Sequence, residues 1–289
     1  MTRRDLLGSA VATLHQAGVP SAEHDAEALL SHALGVPGHE IRILPEAPVA
    51  PEAAARFARL LGARAGRVPL QHLLGEIPFH AATLFVEPGV FIPRPETETL
   101  VECVLEELRH EAPPATILDL GTGTGAIPIA LLVSLPPAWR AVALDRSERA
   151  CALALRNARR NGVEERLTVL RTDFRDPPPR LPELPAGILA SNLPYIPSGS
   201  IAELMPEVRD HDPREALDGG PDGLDAFRAL ARTLGLWLAP GGVLALEIGE
   251  DQADSLSELF GSHLAGVRIA RDLAGLPRIL TGRMRGTRA

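Results

Sequence analysis

Not one lysine occurs in the 289 residues, and all 29 basic side chains are arginine. Any mechanism that needs a lysine base or a Schiff base is therefore excluded. Cysteine is almost as scarce. Cys103 and Cys151 are the only two, they stand apart in helix-like segments, and they read as small packed side chains rather than as a redox pair or metal ligands. None of the nine histidines is paired at i, i+2 or i, i+4, or has a cysteine neighbour, so no metal site is expected. No run approaches the roughly 20 apolar residues that span a bilayer, and the start, Met1-Thr2-Arg3-Arg4-Asp5, lacks a signal-peptide apolar region; a cytoplasmic protein without membrane contact is expected. The formal charge of −8 argues against broad contact with nucleic-acid phosphates.

What is present divides along the chain. Leu6, Leu7, Ala10, Val11 and Leu14 follow a helical period closed by Gly18, Ser21 is an expected N-cap for a helix over 22–33, and Pro51 opens another over 52–65. Residues 1–70 thus form a small all-helical domain. Two extended runs, 73–79 and 83–91, fit a β-hairpin linker over 71–93. From 94 to 289, after a helix at about 96–110, apolar strands at 117–120, 141–144, 167–170, 188–190 and 243–248 alternate with helical segments. That alternation predicts an α/β, Rossmann-like, largely parallel sheet. The runs 267–270 and 278–281 add an antiparallel edge pair, and the proline-rich piece 177–182 is a loop.

The first of these strands runs into Gly121-Thr122-Gly123-Thr124-Gly125-Ala126 and then a helix, placing glycines at the carboxyl edge where open α/β sheets bind ligands. The spelling also satisfies a dinucleotide fingerprint, and Asp145 stands at the right distance to bind ribose hydroxyls in either case. Asp119 helps to choose. A carboxylate two residues before the loop would oppose a pyrophosphate but attract the cationic methionine end of S-adenosylmethionine. Phe174, at the end of the third strand, offers an aromatic face for adenine.

At the end of the fourth strand stands Ser191-Asn192-Leu193-Pro194-Tyr195. An amide nitrogen is a poor nucleophile because its lone pair is delocalised into the carbonyl, so a catalyst must hold it in line with the methyl. The Asn192 side-chain oxygen and the Leu193 carbonyl would each accept one N–H of a primary amide, and Tyr195, the only tyrosine, would pack against the flat group. No strong base is required, because the methylated nitrogen is acidic.

These residues resemble the HemK/PrmC protein-(glutamine-N5) methyltransferases, which modify the Gln of the Gly-Gly-Gln motif in bacterial class-I peptide chain release factors. The similarity covers nearly the whole chain. It includes Gly75-Glu76, the specific run Phe91-Ile92-Pro93-Arg94-Pro95-Glu96-Thr97-Glu98, residues 119–126, Asn157-Ala158, 192–195, 216–224, Glu247-Ile248-Gly249 and 271–275. The resemblance implies a class I S-adenosylmethionine fold. It also implies cofactor contacts from Gly121 through Gly125 and from Asp145, Phe174 and Asn192, and substrate contacts from Asn192, Leu193, Pro194 and Tyr195. Phe91, Arg94 and Glu96 are further candidates at the substrate cleft, and the N-terminal helices are expected to help hold a release factor. One departure stands out, since the family usually has Asn-Pro-Pro-Tyr and this chain has Leu193 at the first proline.

Competing readings are an adenine-N6 nucleic-acid methyltransferase, a Gln methyltransferase of a ribosomal protein, an NAD-dependent dehydrogenase and a non-catalytic release-factor-binding module. The primary expectation is a monomeric enzyme whose partner is a release factor, with no direct nucleic-acid contact.

Overall fold

The computed structural model describes residues 1–108, 115–176 and 182–286. The proline-rich stretch 177–181 and the expected helix end at 109–110 lie outside them. The chain packs as two units, Met1–Glu76 with Met205–His211, and Ile77–Leu204 with Asp212–Ala289.

The first unit holds helices α1 (Arg3–Gln16), α2 (Ala22–Leu34), α3 (Gly38–Ile43), α4 (Pro51–Ala65) and α5 (Leu70–Leu74). Their apolar stripes meet in a core of Leu6, Leu14, Leu29, Leu30 and Phe57. Thr2 closes α1 with a capping box to Asp5. Ser21 differs from expectation: it sits at the N-cap of α2, but its hydroxyl donates to the Asp25 carboxylate at 2.9 Å and caps no backbone N–H. The run from Leu73 is not extended throughout, because Leu70–Leu74 is a helix packed on this core and ended by Gly75 at φ +78°. The first unit therefore reaches Glu76 rather than residue 70. It also takes in a short helix from far along the chain, numbered α9 below, whose Glu207 accepts hydrogen bonds from Arg64 at 2.7 Å and Arg67 at 2.6 and 2.7 Å. Arg64 bonds Asp25 at 2.7 Å as well, so the buried charges are mutually paired.

The second unit opens at Ile77, inside the hairpin strand β1 (Glu76–Phe79), and continues with β2 (Ala82–Phe85) and α6 (Pro95–Leu108). The alternating part runs β3 (Thr116–Leu120), α7 (Ala126–Ser134), β4 (Arg140–Asp145), α8 (Glu148–Arg160), β5 (Leu167–Arg171) and β6 (Ala186–Ser191). After α9 (Pro206–Arg209) come α10 (Arg214–Leu217), α11 (Asp225–Trp237), β7 (Leu238–Glu247), α12 (Ala253–Gly261), β8 (Leu264–Arg271) and β9 (Pro277–Met284). The seven-stranded sheet has the order β5-β4-β3-β6-β7-β9-β8, parallel from β5 to β7, with β9 and β8 antiparallel. This is the doubly wound, largely parallel sheet that the alternation predicts, with the expected antiparallel pair at one edge.

Period-two alternation explains why both faces are covered. Ile117, Ala143, Ile188 and Val243 face one core, shared with α6 and α7, whereas Leu118, Leu144, Leu189 and Leu244 face the other, shared with α11 and α12. The hairpin is seated on α8 by two side chains one turn apart. Asn157 pairs with the Phe85 N–H and C=O at 2.8 and 3.1 Å, and Asn161 with those of Thr83 at 3.1 and 2.9 Å, so two carboxamides cover the edge of β2 as a neighbouring strand would. Among the described residues no helix is long and apolar enough to cross a membrane, and no group of three or more His, Cys, Asp or Glu side chains is placed to hold a metal ion.

Candidate active site

The order of chain connections reverses between β3 and β6, and the loops leaving their carboxyl ends flank the crevice that such a reversal creates. A cleft lies there with about 1090 Å³ of empty space, part of it open to solvent. Of the expected residues, Gly121, Thr122, Gly123, Thr124, Asp145 and Phe174 line it from the nucleotide side, and Asn192, Leu193, Pro194 and Phe91 from the chemical side. Asp119, Gly125, Arg94, Glu96 and Tyr195 do not line it.

The glycine loop is built by backbone geometry. Gly121, Gly123 and Gly125 have φ of +73°, +55° and +80°, conformations that glycine adopts without strain. A Cβ on Gly123 would meet nothing within 4 Å, so the missing side chain leaves open space where a ligand can approach. A Cβ on Gly125 would lie 2.9 Å from Ile129 Cδ1 and 3.1 Å from Ala154 Cβ, so this glycine serves the packing of α7 on α8. The Asp145 carboxylate accepts from the Gly123 N–H at 2.9 Å and the Ser147 N–H at 2.8 Å. Burial raises its pKa, opposed by these two bonds. Its oxygens keep acceptor capacity for ribose hydroxyls.

Asp119 lies behind the loop. It is buried, both carboxylate oxygens lack a hydrogen-bond partner, and burial pushes its pKa up to about 7, partly offset by the neighbouring Thr122. An orphaned buried carboxylate beside a glycine cradle fits a cationic ligand and disfavours a pyrophosphate. The residues present thus fit S-adenosylmethionine.

On the chemical side one carboxylate organises both ends of the tetrapeptide. Glu247, at the end of β7 and 1% exposed, accepts the Thr97 hydroxyl on Oε2 at 2.6 Å and the Tyr195 hydroxyl on Oε1 at 3.2 Å. The Asn192 Nδ2 donates to Thr97 Oγ1 at 3.3 Å. Burial raises the Glu247 pKa, while the Thr97 and Tyr195 hydrogen bonds and the Arg278 charge pull the other way. Burial also raises Tyr195, with the Glu247 charge adding to it, so the phenol stays a neutral donor.

Tyr195 therefore has a different place from the one expected. Its ring packs on the α11–α12 side of the core and its hydroxyl is tied to Glu247, so the ring does not form a wall of the cleft. Its carbonyl accepts from Gln252 Nε2 at 3.0 Å, and a Cβ on Gly223 would lie 2.3 Å from that same oxygen, which accounts for glycine there. Leu193 is 1% exposed and turns its side chain into this core. Arg94 pairs with the buried Asp212 carboxylate, and its guanidinium lies 5.1 Å from the Phe91 ring centre, so it braces a cleft residue from behind. Glu96, in the first turn of α6, acts at a distance by raising the pKa of Glu247 and Tyr195.

Thr97 and Glu247 carried no role in the sequence reading, although both fall in its resemblance segments. The available signal for Glu247 was a carboxylate closing the apolar run Val243–Leu246, at the sheet edge that holds the other functional loops.

Known proteins bear on this site. Residues 5–75 match the family model described as the PrmC N-terminal domain, and residues 117–211 match a methyltransferase domain. A release factor glutamine methyltransferase of Cereibacter sphaeroides is 41% identical over 98% of this chain and 99% of its own. One from Mycolicibacterium smegmatis is 43% identical over 97% of this chain and 98% of its own. One from Moorella thermoacetica is 43% identical over 90% of this chain and 89% of its own.

Proposed function

The chain belongs to the release factor glutamine methyltransferases, and from that premise we propose that it methylates the side-chain amide nitrogen, N5, of the Gln in the Gly-Gly-Gln motif of class-I peptide chain release factors. S-adenosylmethionine supplies the electrophilic methyl carbon on its sulfonium.

The glycine loop, Asp145 and Phe174 hold the nucleoside part, and Asp119 favours the cationic end through its buried charge. Asn192 and the Leu193 carbonyl accept the two N–H groups of the target amide, which presents the nitrogen face to the methyl and stabilises positive charge as it develops. The proton then leaves the cationic nitrogen to solvent. The helices of the first unit are assigned to gripping the release factor.

The observation that carries this reading is Asn192 on the wall of a cleft shared with the glycine loop, its amide NH₂ engaged by Thr97 and its oxygen left for substrate. The deciding experiment is mass spectrometry of release factor from cells with and without this protein, beside a methylation assay that offers release factor and duplex DNA separately. One added methyl on the Gly-Gly-Gln glutamine, present only with the protein, is the expected result. Methylation of adenine and not of the release factor overturns it.

A further inference from the structure

Asn192 can catalyse amide methylation only if its oxygen, and not its NH₂, faces the substrate. The two ends of a carboxamide have nearly the same shape, so packing alone does not choose between them. Hydrogen-bond polarity does. Glu247 is buried, and in the ionised form, which the Thr97 and Tyr195 hydrogen bonds and the Arg278 charge favour, it can only accept, so the single hydroxyl hydrogen of Thr97, 2.6 Å away and itself buried, is committed to it. Thr97 Oγ1 then has only lone pairs to offer on its other side, where Asn192 Nδ2 donates at 3.3 Å. A flipped carboxamide would set Oδ1 against those lone pairs with no hydrogen between them. In the observed orientation Asn192 Oδ1 makes no hydrogen bond among the described residues, on a side chain that lines the cleft.

We propose that Thr97 and Glu247 are positioning and specificity-determining residues, which lock the Asn192 oxygen toward the substrate and so make the site select a primary amide over a carboxylate. The inference rests on the function proposed above. A glutamate side chain has the size of glutamine but presents acceptors only. Against a fixed acceptor it meets repulsion, whereas against an NH₂ it would be welcomed. The relay Glu247–Thr97–Asn192 thus rejects the deamidated substrate through polarity that originates in a residue without direct access to it.

The test compares wild type, Thr97→Ser and Thr97→Val. Methyl transfer to a release factor carrying Gly-Gly-Gln is measured alongside competitive inhibition by the same factor carrying Gly-Gly-Glu, with cofactor affinity and melting temperature as controls on the fold. Wild type is expected to favour the Gln factor by about a hundredfold in binding. Thr97→Val, which keeps the shape but not the hydroxyl, should lose about thirtyfold in kcat and narrow the Gln-to-Glu ratio to about tenfold or less. Thr97→Ser, which keeps the hydroxyl, should restore the ratio.

Should Thr97→Val not fold, Glu247→Gln makes the same test. Its neutral amide can donate to Thr97 and free the hydroxyl hydrogen for a flipped Asn192, so the ratio narrows again. A folded Thr97→Val or Glu247→Gln that loses rate with an unchanged ratio overturns the relay alone, as does a Thr97→Ser whose ratio matches that of Thr97→Val. Absence of wild-type methylation of the Gln factor overturns the proposed function and the relay with it.

Discussion

The Tyr195 hydroxyl donates to Glu247 Oε1 at 3.2 Å, which ties the last residue of the tetrapeptide 192–195 to the carboxylate whose other oxygen accepts from Thr97, the partner of the first, Asn192. Tyr195→Phe removes this single bond and leaves the packed ring in place. The expected loss in kcat is about tenfold, the lower end of what one hydrogen bond to a charged group contributes, with little change in cofactor affinity. The pH profile should move as well. The Tyr195 bond lowers a Glu247 pKa that burial has raised, so deleting it raises that pKa further, and the ionised form is lost at a higher pH. The acid limb of kcat should therefore shift upward in pH. An unchanged limb would show that Glu247 ionisation does not matter to turnover.

The loop glycines separate a stability role from a binding role. Gly125→Ala forces a Cβ to within 2.9 Å of Ile129 Cδ1 at φ +80°, so it should destabilise the fold by about 2–3 kcal/mol, read as a lower denaturation midpoint. Gly123→Ala meets no protein atom within 4 Å and should cost about 1 kcal/mol of backbone strain, while its methyl intrudes on ligand space. Its main effect should be weaker binding of S-adenosylmethionine by calorimetry. Equal losses of stability in the two variants would contradict this division.

Much of this was legible in the sequence because strand signals are local. The runs at 117–120, 141–144 and 188–190 lie inside the observed strands, since apolar residues bounded by turn residues need no distant partner to be recognised. The glycine loop and the tetrapeptide are likewise contiguous. The relay is not. Thr97 and Glu247 are 150 residues apart, and only sheet order brings the end of β7 beside the first turn of α6. Helix α5 escaped for a different reason: five residues between Pro69 and Gly75 are too few to display a helical period, and their apolar side chains look the same in an extended run. The capture of 205–211 by the first unit depends on Glu207 meeting Arg64 and Arg67, a pairing across about half the chain that composition does not reveal.

Asp119 gives a pH dependence whose sign is fixed. Its folded pKa, about 7, lies above the ordinary carboxylate value, because burial favours the neutral form. Its contribution to stability is therefore full below pH ~4 and is lost as pH rises through about 7. Asp119→Asn removes the ionisation and should be more stable than wild type at pH 8, by at most about 4 kcal/mol, with the gap shrinking as pH falls below about 7 and closing only below pH ~4. A cationic ligand reverses the preference, since it stabilises the ionised carboxylate. S-adenosylmethionine affinity should rise between pH 6 and 8 with release of a proton, measurable by calorimetry in buffers of different ionisation enthalpy. Asp119→Asn should abolish that linkage, and a pH-independent wild-type affinity would remove Asp119 from cofactor recognition.

Leu193 sets the final prediction. Its proposed contribution is a backbone carbonyl, which leucine retains, and Pro194 keeps residue 193 extended. The buried Leu193 side chain also fills space in the core that packs against α11 and α12, which a proline ring would fill less completely. Leu193→Pro therefore gains rigidity at the acceptor and loses packing beneath it, two effects of opposite sign. A rate within about tenfold of wild type, some 1.4 kcal/mol, is expected in single-turnover methyl transfer, together with a lower melting temperature. If the proline variant proves more than about a hundredfold faster, then backbone rigidity at 193 dominates catalysis, and the carbonyl alone is not a sufficient account of the position.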